Sequence, residues 1–196
     1  SHFRWKKHAD SVLEWNFREP KVNWFKGGKL NITENCLDRW AEIQPHTPAI
    51  IWESNDPEEH HRSISYKELL FKVNQFAHVL KNNGAKKGDR ICLYMPMVPE
   101  LAIAVLACAR IGAVHSVIFG GFSAQSIADR INDAQCKLVI TSDGGFRGNK
   151  EVPLKAVMDE ALIQCPSVQR VIVLTRTRTP VSILKGKEVW VSTITR

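Results

Sequence analysis

The chain has 196 residues and a mass of 22.2 kDa, which is enough for one domain with a full core. A hydrophobic content of 44% and a charged content of 24% are ordinary for a globular protein and exclude disordered, collagen-like and coiled-coil classes. The formal net charge of +7 comes from the two ends, because residues 31–169 hold fourteen Lys/Arg against sixteen Asp/Glu. This distribution argues against a nucleic-acid-binding stripe.

The cysteines, the apolar runs and the histidines give no sign of an unusual environment. The five cysteines include no CxxC pair, which favours a reducing compartment. The longest apolar run, 101–109, is too short to cross a bilayer, and the charged N-terminus lacks the apolar core of a signal peptide. His60-His61 has no third ligand candidate nearby, so an exposed loop is favoured over a metal site. We expect a cytoplasmic protein without metal or membrane partners.

The first thirty residues are rich in aromatic side chains and show little periodicity. Because large aromatic rings must bury against something, we predict an arm lying across a larger body. A short helix over 35–44, ended by Pro45 and Pro48, follows. The predicted organisation is therefore an N-terminal arm and short helix over 1–48 and an α/β part over 49–196. The aromatic residues of the arm are Phe3, Trp5, Trp15, Phe17, Trp24 and Phe25.

From residue 49 onward, predicted strands and helices alternate. A capping box at Ser65–Glu68 begins a helix that ends near Gly84. The run 90–95 shows no polar alternation, which is typical of a central parallel strand covered on both faces. Such alternation predicts right-handed βαβ crossovers and a doubly wound, mostly parallel α/β sheet flanked by helices. The other predicted strands are 49–52, 113–118, 138–141 and 170–174, and the other predicted helices are 100–111, 123–134 and 153–163.

Two glycine-containing loops follow predicted strands, and both should emerge at the carboxyl edge of the sheet, where open α/β sheets bind ligands. Gly120-Gly121 is interpreted either as an anion cradle at a helix N-terminus or as a plain tight turn. In the loop 142–150, Arg147 and Lys150 flank two small residues, Gly148 and Asn149. A planar guanidinium and a compact ammonium suit the phosphates of a nucleotide such as a coenzyme tail, and the alternative is a solvated basic loop.

Candidate catalytic groups are sparse. The sequence contains no GxSxG, no HExxH, no plausible pair of carboxylates and no Cys/His dyad. No GxGxxG follows any predicted strand, which disfavours a dinucleotide-dependent oxidoreductase. We therefore predict no catalytic residue within this chain.

Three strings carry a family resemblance. They are WFKGGKLNITENCLDRW (24–40), ISYKEL (64–69) and the long run 86–150, which begins KKGDRICLYMPMVPE and ends SDGGFRGNK. Together they resemble the AMP-forming acetyl-CoA synthetases (acetate–CoA ligases) of the adenylate-forming acyl-CoA synthetase and luciferase superfamily. The resemblance covers essentially the whole chain.

The resemblance implies a reaction in two halves. Acetate and MgATP give an acetyl-adenylate and pyrophosphate, and the thiol of coenzyme A then displaces AMP. It also implies that the chain is the N-terminal part of such an enzyme, because the family's phosphate loop, adenine motif, acetate pocket and C-terminal lysine domain have no counterpart in it. The implied partners are acetate, ATP, Mg²⁺, coenzyme A and the remainder of the same subunit.

The resemblance also implies roles for the two loops. Arg147, Gly148, Asn149 and Lys150 would occupy the family's coenzyme A motif and contact the nucleotide phosphates. The implied neighbours of the adenine of coenzyme A are Phe119, Gly120, Gly121 and Val152. Asn149 stands where the family usually has glycine. Two alternatives remain, namely a stand-alone coenzyme A- or nucleotide-binding module without catalysis and a related propionyl-CoA ligase.

Overall fold

The computed structural model describes residues 3–55, 59–148, 150–183 and 186–191. Its first element is an antiparallel hairpin of β1 (Ser11–Asn16) and β2 (Lys21–Lys26). The prediction that the aromatic side chains of this region are buried is wrong, since Trp15, Phe17 and Trp24 are 59%, 80% and 62% exposed. Strand pairing satisfies the backbone of the hairpin, but no described element covers these rings.

The short helix of the arm does pack against the body. A π-helical turn, Glu34–Asp38, continues into α1 (Arg39–Ile43), close to the predicted bounds. Leu37 is buried in the core, and the Asp38 carboxylate accepts two hydrogen bonds of 2.7 Å from the Arg110 guanidinium. An antiparallel ribbon of β3 (Pro48–Trp52) and β4 (Arg62–Ser65) follows. β4 is a strand that the sequence did not predict.

The main body alternates helices with strands, as predicted. Its elements in chain order are α2 (Tyr66–Asn82), β5 (Arg90–Tyr94), α3 (Pro99–Ile111), β6 (Val114–Ile118), α4 (Ala124–Ala134), β7 (Leu138–Ser142), β8 (Gly145–Arg147), β9 (Lys150–Val152), α5 (Leu154–Leu162), β10 (Arg170–Leu174) and β11 (Glu188–Val191). Five strands form one parallel sheet in the order β11-β10-β7-β5-β6. The central position predicted for β5 is confirmed. β11, in the tail, was not predicted.

Helices cover both faces of this sheet. One core contains Leu93 and Ile140 with side chains of α2 and α3. The other core contains Tyr94 and Val139 with side chains of α4 and α5. Tyr94 is adjacent to Leu93 on β5, and Val139 is adjacent to Ile140 on β7. This alternation follows from the two-residue period of a strand. The predicted doubly wound α/β architecture is confirmed.

The two helices whose first residues were predicted from an N-cap serine, α2 and α4, begin where expected. Ser65 Oγ accepts a hydrogen bond from the N–H of Glu68 at 3.3 Å, and Ser123 Oγ does the same for Ser126 at 3.3 Å. The Glu68 carboxylate lies 3.4 Å from Lys72 Nζ, one turn further along α2. No helix in the described ranges is long and apolar enough to cross a membrane.

Candidate functional site

The order in which strands are added to the sheet reverses around β5, since β6 lies on one side of it and β7 on the other. The loop after β5 leads to α3 on one face of the sheet, whereas the loops after β6 and β7 lead to α4 and α5 on the other. Because β6 and β7 flank β5, the connections of neighbouring strands leave the carboxyl edge toward opposite faces of the sheet at this point. Open α/β sheets bind ligands at such a point. Both predicted site loops border it.

The loop after β6 presents an exposed aromatic ring. Phe119 is 63% exposed, and its ring folds over Gly121, where an added Cβ would lie 2.8 Å from Phe119 Cε1. Beneath the loop, Tyr94 Oη donates a hydrogen bond to Gly120 O at 3.2 Å. The Tyr94 hydroxyl therefore ties this loop to the central strand. Because Ser123 caps the first turn of α4, its side chain takes one of the N–H groups that an anion cradle would use.

The second loop is in fact a hairpin. Residues 145–147 and 150–152 form the antiparallel pair β8–β9, which we call the cation hairpin. Arg147 pairs directly with Lys150, so both side chains project from one face with Cβ atoms about 4.5–5.5 Å apart. Gly148, at the turn, has φ +58°, a left-handed conformation that glycine adopts without strain. Asn149 lies outside the described residues.

The two cations of the hairpin are exposed to solvent. In the described part of the chain, neither Arg147 nor Lys150 forms an ion pair. Like charges directly opposite each other on a hairpin destabilise it. An anion between them would remove that repulsion, so the arrangement suits a phosphate.

The loop after β6 and the cation hairpin meet over Leu154, at the start of α5. An added Cβ at Gly120 would lie 3.5 Å from Leu154 Cδ2, and one at Gly145 would lie 3.3 Å from Leu154 Cδ1. Val152 pairs with Gly145 and packs half-buried against the core of α4 and α5. The structure thus brings every predicted site residue in the described ranges to one edge of the sheet.

A buried carboxylate below the hairpin was not predicted as a site residue. Asp143 is 1% exposed and follows β7 directly. Asp143 Oδ1 accepts hydrogen bonds from the N–H groups of Gly144, Arg176 and Thr177 at 2.8, 2.7 and 3.0 Å. Its other oxygen, Oδ2, accepts from Arg178 N at 2.8 Å. The one feature of the sequence that could have marked Asp143 as a site residue is its position, as an acidic residue at the carboxyl end of a buried strand.

Arg176 was likewise missed. Its guanidinium donates to both oxygens of Glu59 at 2.9 and 2.6 Å. It also lies 5.5 Å from the centre of the Trp52 ring and 5.2 Å from that of Phe146, on the cation hairpin. The hydrogen bond from Arg176 lowers the pKa of the Glu59 carboxyl. No local pattern marks this cluster, because Arg176 and Glu59 are 117 residues apart.

Comparison with known sequences identifies the family of the chain. Residues 37–193 match the sequence profile of the family described as AMP-binding enzyme, and residues 1–36 match the profile described as acetyl-coenzyme A synthetase N-terminus. The chain is 49% identical over 186 residues to the acetyl-coenzyme A synthetase of Magnetococcus marinus, and the match covers 95% of this chain. It is 50% identical over 186 residues to that of Saccharophagus degradans, again over 95% of this chain.

Comparison with solved structures agrees. The acetoacetyl-CoA synthetase from Streptomyces lividans superposes with a TM-score of 0.84 at 27% identity, over 95% of this chain. The match spans 28% of that structure, and the two acetyl-coenzyme A synthetases are each matched over 29% of their length. The chain thus spans less than a third of the relatives it matches.

Proposed function

Because the chain belongs to the AMP-binding enzyme family, we propose that it is the N-terminal part of an AMP-forming acetate–CoA ligase and contributes one wall of the coenzyme A site. In the proposed reaction, acetate and ATP form acetyl-adenylate and pyrophosphate. The thiol sulfur of coenzyme A then attacks the acyl carbon, the bond from that carbon to AMP breaks, and the thiol loses its proton. The groups that perform these steps belong to the remainder of the subunit.

One observation carries the assignment of the site. The cation hairpin places Arg147 directly opposite Lys150 at the carboxyl edge, without ion-pair partners in the described residues. The forked guanidinium suits two oxygens of one phosphate, and the ammonium adds a point charge beside it. We infer that they hold the phosphates of the nucleotide part of coenzyme A.

The loop after β6 supplies the neighbouring surface. Phe119 presents an exposed ring on which an adenine can stack, and Gly121 leaves room for that ring to lie against the backbone of the loop. Gly120, the other glycine of the loop, would lie beside the adenine. Val152 adds an apolar contact beside the hairpin. These residues would bind and orient coenzyme A without taking part in bond making.

The metal of the reaction is not assigned to this chain. In the ranges that the structure covers, no three His, Cys, Asp or Glu side chains come together as ligands. A cytoplasmic location, where ATP and coenzyme A are available, is part of the proposal.

Arg147→Ala in the polypeptide that carries the complete enzyme tests the site. Loss of one charge-assisted hydrogen bond costs about 1.5–3 kcal/mol, so the KM for coenzyme A should rise about tenfold or more. Acetate-dependent exchange between ATP and pyrophosphate should stay nearly unchanged, because that half-reaction does not use coenzyme A. Lys86→Ala, an exposed cation at the amino edge of the sheet, is the matched control. Loss of exchange with an unchanged KM for coenzyme A contradicts the assignment.

A binding measurement separates this proposal from a stand-alone module. Calorimetry of the 196-residue chain with coenzyme A should show no micromolar binding if the chain is one wall of a larger site. Micromolar binding by the chain alone would favour the module. Acetate and propionate as alternative substrates of the complete enzyme distinguish the two short-chain ligases.

A further inference from the structure

We propose that Asp143 and Arg176 are positioning residues that hold residues 176–179, here called the support segment, beneath the cation hairpin. The support fixes the direction in which Arg147 and Lys150 project, and so sets the affinity of the site for a phosphate-bearing ligand. The identity of that ligand as coenzyme A rests on the proposed function. The mechanical role of the support does not.

The Asp143 carboxylate organises the support segment from inside the protein. It accepts hydrogen bonds from three consecutive N–H groups, those of Arg176, Thr177 and Arg178. Arg178 has φ +63°, which is unfavourable for a residue other than glycine. A buried carboxylate bound by several N–H groups forms strong, charge-assisted hydrogen bonds. We infer that these bonds hold the segment in its strained conformation.

The two faces of the cation hairpin have different partners. Arg147 and Lys150 share one face with Gly145 and Val152, so Phe146 and Glu151 occupy the other. That second face rests on the support. Thr179 Oγ1 donates a hydrogen bond to Glu151 Oε1, and the Phe146 ring lies 5.2 Å from the Arg176 guanidinium.

The fit between the support and the start of the hairpin is close. An added Cβ at Gly144 would lie 2.6 Å from Thr177 Oγ1 and 3.2 Å from Glu151 Oε1. The space between Asp143 and β8 is therefore filled by the support segment. Residues 176–179 therefore pack directly against the start of the strand that carries Arg147.

Arg176 connects the support to the rest of the carboxyl edge. Its guanidinium is held in a two-pronged ion pair by Glu59 and also lies beside the Trp52 ring. Trp52 Nε1 in turn donates to Met97 O at 2.8 Å, in the loop after β5. Arg176 thus links the cation hairpin, through Trp52, to the loop after β5.

An isolated two-stranded hairpin is marginally stable in water, and this one also carries two cations in repulsion. It needs outside contacts to stay ordered before a ligand arrives. Binding is tighter when the site does not have to be ordered at the same time. This is why the support should affect affinity and not only stability.

The test combines hydrogen exchange with kinetics in Asp143→Asn and Arg176→Lys. Asparagine places an NH₂ group against a backbone N–H, and lysine keeps the charge of Arg176 but loses its fork. Without ligand, amide exchange over 145–152 should become about tenfold faster, with β5 and β7 unchanged. Trypsin should cleave faster after Arg147 and Lys150. Arg178→Lys, whose exposed side chain belongs to the same segment, is the matched control.

In the complete enzyme, both variants should raise the KM for coenzyme A several-fold and leave ATP–pyrophosphate exchange unchanged. A purely structural role would instead lower both activities with the folded fraction. If Asp143→Asn does not fold, Arg176→Lys, at a less buried position, carries the test. Amide hydrogen exchange that stays unchanged over 145–152, or that rises equally throughout the sheet, overturns the inference. A third outcome separates the two proposals. If amide hydrogen exchange over 145–152 is faster in Arg176→Lys, but the KM for coenzyme A is unchanged in both Arg147→Ala and Arg176→Lys, the proposed function is overturned and the mechanical role of the support segment is retained.

Discussion

Replacing Lys155 by methionine should destabilise the protein by about 3–5 kcal/mol, the usual cost of removing one partner of a buried ion pair. Lys155 is on α5 and its side chain is 1% exposed. Its Nζ lies 3.1 Å from Glu188 Oε1, on the outer strand β11, and the Glu188 side chain is also 1% exposed. The pair therefore joins the helix to that strand away from water.

The magnitude depends on which contacts water can replace. Lys155 Nζ also donates to Asp159 Oδ1 at 2.6 Å and Ser182 O at 3.3 Å. The Asp159 side chain is 42% exposed, so water can hydrate it after the substitution and its share is small. Water cannot hydrate the Glu188 carboxylate in this way, because its side chain is 1% exposed. Most of the cost comes from this carboxylate, which stays buried after the Lys155 cation is removed.

A double-mutant cycle separates that cost from the loss of packing. Glu188→Leu alone should cost less than Lys155→Met, because Lys155 can keep its bond to Asp159. Lys155→Met combined with Glu188→Leu should regain stability relative to Lys155→Met, since a buried pair replaced by apolar side chains is often close to neutral. We expect a coupling energy at the upper end of the range of about 0.5–3 kcal/mol for residues in contact.

Equilibrium unfolding in urea, monitored by circular dichroism, measures these free energies, with the m-value checked for each variant. Lys67→Met, at an exposed position on α2, should change stability by no more than about 0.5 kcal/mol. A loss below about 1 kcal/mol for Lys155→Met would refute the reasoning, because a carboxylate as buried as that of Glu188 could not lose the neighbouring Lys155 cation at so small a cost. A double variant as unstable as the sum of its single changes would refute it too.

Two further predictions concern thiols and pH. Cys36 is exposed and the other four cysteines are buried, with burial raising the pKa of the Cys108 thiol to about 12. A disulfide reagent should therefore modify one thiol in the native protein and all five in denaturant. Arg176 lowers the pKa of Glu59, so its stabilising effect is present above the unfolded pKa of about 4.3 and is lost as the pH falls through the lower folded value. Glu59→Gln should thus flatten the acid limb of the urea midpoint against pH.

Each of these has its own counter-result. Rapid native modification of two or more thiols would mean that a core containing Cys92 or Cys108 opens readily. An acid limb equally steep in Glu59→Gln and the parent protein would mean that the Arg176–Glu59 pair does not persist in solution. Glu53→Gln, on a neighbouring carboxylate in the same connection, is the control for the pH experiment.

Local sequence was sufficient for most of the parallel sheet. The unbroken apolar run of β5 predicted a strand buried on both faces, and it pairs with β6 on one side and β7 on the other. Ser65 and Ser123 predicted the starts of α2 and α4 because an N-cap acts within one helical turn. The predicted loops at the carboxyl edge follow from parallel strand direction alone. The strands that were missed are β1, β2, β4, β8, β9 and β11. The last four have three or four residues, too few for a periodic signal. β1 and β2 have six residues each but contain no buried residue, so no apolar face marks them.

The sequence by itself determined the fold class, the edge that carries the candidate site and, through resemblance, the family to which the chain belongs. These depend on periodicity, caps and motifs, all of which act over neighbouring residues. Only the tertiary structure decided that Arg147 and Lys150 are cross-strand partners, and that Asp143 and Arg176 brace the hairpin beneath them. Those relations join residues as far apart as Glu59 and Arg176, and distant contacts leave no pattern in the local sequence.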